Sequence, residues 1–552
     1  MFLALFYFYP LGSILRISFA RSVAGPAAAF LEALTDPVER GILWFTIWQA
    51  AASTALTLLI GLPGAYVLAR FHFRGKSLLQ ALMGIPFVMP TLVVATAFNA
   101  LLGPRGWINL ALMAALHLSA PPIQLVNTLG AILLAHVFYN TTIVLRMVGD
   151  FWSHLDPRLG AAAQVLGANR WQTLTRITFP LLAPAIATAA LLVFIFDFTS
   201  FGVVLVLGGP RFATLEVEIY NQTISFFNLP LAAALSVLQL GCTLALTMAY
   251  ARLSSRLSRP LALRPRTYTQ RRLLTWRRRL AVAAVMAVLL LLLTTPLVAL
   301  AARSFARLEP NRGQFGPFQT GLTLDFYRDL SINLRGSLFY VPPTTAIGVS
   351  LAYAAATVVL ALGLGLPASW SLARQSSSFL NRIFDPLIML PLGTSAVTLG
   401  LGFIVALDRP PLDLRASPIL VPLAHTLVAF PFVVRSLTPA LRSIQPRLRQ
   451  AAAVLGASPQ QVVRFVDLPL IGRALLVAAT FAFTISLGEF GATALIARPE
   501  YPTVPIMIYR FLSQPGALNY GQALALSTIL MAVCAGGMLA IERLRIADIG
   551  EF

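Results

Sequence analysis

Residues 158–180 read RLGAAAQVLGANRWQTLTRITFP, and residues 447–469 read RLRQAAAVLGASPQQVVRFVDLP. Arg158 matches Arg447, Gly167 matches Gly456 and Pro180 matches Pro469, so the spacing inside the two stretches is the same. Each is a modestly polar segment set between long apolar runs. A polar segment that recurs at a fixed offset of 289 residues marks the chain as two copies of one unit.

The offset holds beyond the opening stretch. His136 matches His425, Arg146 matches Arg435, Phe201-Gly202 matches Phe490-Gly491, Thr214 matches Thr503, and Ile219-Tyr220 matches Ile508-Tyr509. Upstream the offset is 304, because GLPGAYVLAR (61–70) matches GLPASWSLAR (365–374). The difference is mostly taken up by a loop, 103–124 being longer than 407–417, and insertions belong in surface loops. The chain therefore divides into a first repeat (1–255), a linker (256–279) and a second repeat (280–552).

Of the 552 residues, 58% are hydrophobic and 11% charged, with a mean hydropathy of +0.79. Soluble domains carry roughly 25% charged residues. Apolar runs of about 20 residues are the unit that crosses a bilayer as helix. Twelve such runs are present, at 2–20, 43–69, 80–102, 125–146, 181–207, 231–251, 280–302, 348–373, 384–406, 418–435, 470–496 and 521–541. They predict an all-α membrane protein with six spans per repeat. An even number of spans returns the chain to its starting side, so the repeats are parallel, not inverted.

The net charge of +21 orients the chain and does not point to nucleic acid. Segment 252–279 alone holds ten Arg and no acid, which places it and both termini inside. The loops expected outside hold acids, among them Glu32, Asp36, Glu39, Glu216 and Glu218. Contact of 252–279 with anionic lipid headgroups is a secondary expectation. Cys242 and Cys534 fall inside predicted spans and imply neither a disulfide framework nor a metal site. The first run begins at Met1 with no basic region before it. It reads as a short first span, since no small-residue cleavage site stands out.

On this topology both copies of the opening stretch are cytoplasmic, between the fourth and fifth spans of each half. Asp156-Pro157 can serve as N-cap and first helical residue. Gly167 and Gly456 sit where a helix stops and positive φ is needed, and Ser458-Pro459 restarts one. Leu159, Ala162, Ala163 and Leu166 form one apolar stripe. Two readings fit: a docking helix along the membrane face, or a helical loop packed on its own bundle.

The two loops resemble the signature loop of ABC importer permeases, with Ala162-Ala163, Gly167 and Phe179-Pro180 in one copy and Ala451-Ala452, Gly456 and Leu468-Pro469 in the other. The family's pattern usually begins with Glu; here Ala161 and Gln450 stand there, so no charge contact is carried over to those positions. The resemblance implies coupling loops at about 148–180 and 436–469, each docking on an ATP-hydrolysing subunit. It further implies a type I importer fold, two ATPase subunits, a periplasmic or lipid-tethered binding protein and a place in the bacterial inner membrane. Fused two-copy permeases resemble the branch that imports thiamine or ferric iron. FDFTSFGVVLVLGGPRFATLEVEIY (196–220) looks like the thiamine type, and SLGEFGATALIARPEYPTVPIMIYR (486–510) fits both.

No ATP site is expected in the chain itself. Arg74-Gly75-Lys76-Ser77 has the tail of a phosphate-binding loop, but Arg70 stands where the loop's first Gly is required. No enzyme activity and no cofactor are expected. Asp197 and Glu489 lie within spans five and eleven, where charge is costly and often functional. Their counterparts are Ser486 and Ser200, so each half supplies one acid where the other supplies a hydroxyl. One reading has Glu489 first and Asp197 second meeting a cationic substrate; the other has each acid bonded locally at a helix break beside Gly202, Gly488 or Gly491. His136 and His425 read as symmetric packing or a helix–helix hydrogen bond in each half, since two His alone cannot hold a metal. The rival class is a 6+6 secondary transporter driven by an ion gradient. That class carries Gly, Asp and Arg between its second and third spans, whereas these loops read RFHFRGKS and RQSSSFLNR.

Overall fold

A computed structural model of the chain describes residues 1–20, 28–257, 270–272, 275–307, 321–332, 341–374, 384, 387–408 and 413–546. Eight helices are long and apolar enough to cross a membrane: Pro37–Arg70, Leu129–His154, Arg170–Phe198, Leu229–Leu253, Trp276–Ser304, Pro343–Ala373, Leu420–Ser443 and Ala517–Ile541. Three bent pairs and the shorter apolar helix Ala4–Phe19 account for the remaining predicted runs. Spans are numbered 1 to 12 below in chain order. The longest, span 2, starts where Asp36 accepts a hydrogen bond from Val38 N at 2.6 Å with Pro37 as first helical residue. Its 34 residues reach about 50 Å, more than the roughly 30 Å apolar thickness of a bilayer.

Four of the runs are interrupted: spans 5 and 11 beside the glycines that the sequence offered as helix breaks, and spans 3 and 9 where no break was expected. Span 3 bends by 107° between Lys76–Val88 and the helix from Thr91, and span 9 bends by 106° between Leu387–Gly393 and Ala396–Ala406. Pro90 and Thr394, which correspond under the repeat, sit at the two bends. Pro90 has no N–H for a continuing helix, while Ser395 accepts from Val397 N and Thr398 N and so starts a new one. Spans 5 and 11 stop at Phe198 and Gly488 and resume as the short helices Gly202–Leu207 and Gly491–Ile496. Hydropathy is blind to such breaks because the residues on both sides are equally apolar.

The two halves exchange their first spans. Span 1 lies against span 9 of the second half, where Tyr7 Oη hydrogen-bonds Thr394 Oγ1 at 2.6 Å and Gly402 admits Pro10. Span 7 lies against span 3 and span 2 of the first half: Trp107 Nε1 donates to Ala299 O at 3.2 Å, and Gly64 makes room for Leu289. One buried apolar cluster runs through both halves as a result. Residues 258–269 and 273–274 of the expected linker lie outside the described residues. Arg271–Arg272 pairs in parallel with Phe71–His72, tying the end of the linker to the loop after span 2. Lys76, the residue of the false phosphate loop, donates to Phe71 O at 3.1 Å in that loop.

Candidate functional site

Two regions carry the predicted residues. The first is the pair of loops. Pro157–Val165 and Pro446–Val454 are helices that bury no residue in the bundle. Asp156 caps the first, accepting from Arg158 N at 2.9 Å. Ala162 and Ala451 are exposed, Ala163 and Ala452 partly so. Gly167 and Gly456 follow with φ of +90° and +86°, a conformation that L side chains rarely adopt. Capping boxes Asn169/Gln172 and Ser458/Gln461 then start the next helix in the two copies. The turn between presents Val165, Leu166, Val454 and Leu455, each 87–88% exposed. Isolated apolar side chains on a surface are common, but here two matched pairs stand exposed on the two sharp turns, one pair in each repeat.

The second region is a cavity of about 430 Å³ between the halves, within the range of small-molecule sites, about 300–1,000 Å³. The breaks of spans 3, 5, 9 and 11 all open into it, through Pro90, Ser200, Thr394 and Glu489. Phe87, Phe196, Phe432 and Phe481 place aromatic rings in its walls. Phe201 and Phe490, equivalent under the repeat, stack at 5.4 Å, and each also meets its own half's Tyr220 or Tyr509. The stacked pair therefore lies where the two halves meet.

Asp197, Ser200 and Glu489 line this cavity, but Ser486 does not. Ser486 instead hydrogen-bonds His425 Nδ1 at 2.7 Å and Thr357 Oγ1 at 3.2 Å. Each histidine is held as the sequence predicts. His136 joins Ser53 and Ser200 at 3.0 and 2.8 Å, and His425 joins Ser486 and Thr493 at 2.7 and 2.8 Å. Each His also lies beside its half's acid, at 3.5 Å from Asp197 and 3.3 Å from Glu489.

The two acids differ in their bonding. Glu489 caps the helix Gly491–Ile496: Oε1 accepts from Ala492 N at 2.8 Å, and Oε2 accepts from Thr493 N at 3.0 Å and from the Thr493 hydroxyl. Both oxygens are committed to holding the break. Asp197 Oδ1 accepts from Asn140 Nδ2 at 2.6 Å, while Oδ2 is buried with no hydrogen-bond partner among the described residues. Asp197 therefore holds one carboxylate oxygen that the helix break does not use. Replacing Glu489 by Gln sets an amide donor against backbone donors, so the amount of folded protein in the membrane should fall together with uptake. Fluorescence-detected size exclusion measures the first; a wild-type amount of protein would leave Glu489 with a role beyond the cap.

Sequence reading missed a third acid. Glu216 was expected in an outside loop, yet it is 1% exposed and lines the cavity. It accepts from Gln239 Nε2 at 2.6 Å and from the Ser395 hydroxyl of the opposite half. The available signal was Gln239, a polar side chain inside a predicted span, which requires a buried partner. Glu39, also expected outside in water, is buried at the start of span 2.

The family model of the binding-protein-dependent transport system inner membrane component matches residues 61–259 and 365–545. The chain belongs to this family. Matching both halves separately, that model confirms two permease repeats in one chain, and the type I permease fold with them. A chain of this family is the membrane-embedded permease subunit of an ABC importer; ATP hydrolysis lies in separate subunits. Membership replaces the alternative of a transporter driven by an ion gradient, and the spans place the protein in the inner membrane. The thiamine transport system permease protein ThiP of Brucella abortus is 30% identical over 97% of this chain and 95% of its own length. ThiP of Escherichia coli is 27% identical over 91% of this chain and 88% of its own. A solved chain of a bacterial ABC transporter involved in the import of alginate aligns at 19% identity, over 47% of this chain and 92% of its own, with a TM-score of 0.36.

Proposed function

We propose that this chain is the permease of a thiamine importer, fed by an extracytoplasmic binding protein and driven by two ATPase subunits on its cytoplasmic face. The observation that supports it most is similarity to ThiP proteins along 97% of the chain, covering both repeats and the linker. The cavity suits such a solute chemically. A flat aromatic cation stacks on phenyl walls and is attracted by their faces, and Asp197 supplies the negative charge. In this reading residues 1–255 and 280–552 are the two moving halves, 256–279 is the cytoplasmic linker, and both termini are inside. The helices Pro157–Val165 and Pro446–Val454, with Ala162, Ala163, Gly167, Ala451, Ala452 and Gly456, are the handles by which ATP closure draws the halves together.

Phe201 and Phe490 then form the closed outer gate, since span 5 and span 11 reach them on leaving the cavity outward. An aromatic pair contributes about 1 kcal/mol beyond its burial, so removing both rings should raise the open population about fivefold. Vesicles carrying Phe201→Ala plus Phe490→Ala should leak preloaded thiamine without ATP; tight vesicles would remove the pair from the gate.

The function itself is tested by uptake into vesicles containing this chain with its ATPase and binding protein, given labelled thiamine and ferric iron in parallel. ATP-dependent accumulation of thiamine alone is expected. Accumulation of iron alone would move the chain to the other branch that the sequence resembles.

A further inference from the structure

A second cavity, of about 530 Å³, lies behind the helix Pro157–Val165. Span 2, the turn Leu174–Thr178 and the start of span 7 complete its walls. Arg70, Arg170 and Arg278 line it, and no acid is among its lining residues. Its other wall is apolar. Along span 7 the lining runs from Arg278 to Val285, seven residues and so about 10 Å of helix, from a charged surface toward the membrane interior.

The second repeat is an internal control for this place. Tyr66, Gly160 and Thr178 of the cavity correspond to Trp370, Arg449 and Asp467. There Arg449 Nε donates to the buried Asp467 Oδ1 at 2.7 Å, and its guanidinium lies 5.9 Å from the Trp370 ring centre. That bridge props Pro446–Val454 against the bundle from within. Gly160 and Thr178 supply neither side chain, so the first repeat leaves the position open and rings it with cations.

We propose that the phosphate of an anionic phospholipid from the cytoplasmic leaflet fills this cavity and props the first docking helix, as Arg449–Asp467 props the second. Arg170 and Arg278 stand exposed at its mouth, an anionic headgroup complements their charge, and basic pockets between membrane helices on the cytoplasmic side suit lipid headgroups. The apolar wall along span 7 fits the glycerol and the upper acyl chain, which a free phosphate ion lacks. The binding does not depend on which solute is carried; only its effect on coupling rests on the permease reading.

The test uses the full chain in detergent, with retained phosphatidylglycerol measured by native mass spectrometry, without ATPase or solute. Arg170→Gln plus Arg278→Gln should weaken retention roughly thirtyfold, two surface charges' worth of attraction. Both arginines are exposed, so this variant leaves the fold intact. Gly160→Arg plus Thr178→Asp transplants the second repeat's bridge. A Cβ at Gly160 meets only the Thr173 methyl at 3.3 Å, a contact that a small shift of this side chain relieves, and the graft should expel the lipid. In phosphatidylcholine vesicles with the ATPase, wild-type uptake should drop several-fold while the graft keeps its rate. Retention unchanged in the arginine variant, or equal retention of phosphatidylcholine, would overturn the proposal. So would recovery of wild-type uptake with millimolar inorganic phosphate, which would make the site one for the free ion.

Discussion

Replacing Leu166 and Leu455 together by Asp should abolish ATP-dependent uptake while the permease still reaches the membrane in normal amount. Both side chains are 88% exposed, on helices that bury nothing in their own bundle, so the fold does not depend on them. Each stands immediately before a glycine at positive φ, on the outermost point of its loop. Burying one leucine in a partner's groove is worth about 2 kcal/mol, and two grooves about 4 kcal/mol. Losing that weakens the complex on the order of a thousandfold before the charge of the new carboxylates is added. Co-purification of the ATPase with a tagged permease measures it directly. Retention at the wild-type level would show that the two loops are not the docking surface. The single variants ask whether the halves share the load: with one leucine removed, about half of the binding energy should remain.

Eight long apolar helices, the two repeats and both loops were legible in the sequence because each leaves a local mark. Apolar runs have a length, Gly167 and Gly456 have a conformation only glycine tolerates easily, and the Ser458–Gln461 pair is a capping box. What was illegible depends on contacts between distant parts of the chain. Nothing in residues 1–20 announces that Tyr7 will meet Thr394, or that span 1 will pack on the second half. Glu216 has an exposed-loop composition around it, and only the distant Gln239 and Ser395 make its burial tolerable. The acid-for-hydroxyl exchange between the repeats was visible, but not its consequence. Ser200 and Glu489 occupy equivalent positions; one bonds the histidine of its half, the other also closes a helix end. Rank by sequence put Glu489 first; by bonding, Asp197 is the acid with an oxygen that the helix break does not use.

Asp197→Asn is the sharper test of the pathway for that reason. The substitution is nearly isosteric, and Asn140 Nδ2 can still donate to the remaining carbonyl oxygen, so the buried network survives. What disappears is the negative charge and the oxygen that lacks a partner in the cavity wall. A buried polar atom without a hydrogen bond is unfavourable, and a carboxylate oxygen more so. A cation passing through the cavity would supply the charge partner that the carboxylate lacks. A hydrogen bond to a charged group is worth about 1.5–3 kcal/mol, so uptake of a cationic solute should fall about tenfold or more. Protein level and ATPase co-purification should not change, because Asp197 lines the cavity between the halves and is no part of the exposed loops. That combination separates Asp197 from Glu489, whose substitution is expected to lower the amount of folded protein as well. Wild-type uptake by Asp197→Asn would mean that the cavity passes its solute by shape and aromatic contact alone.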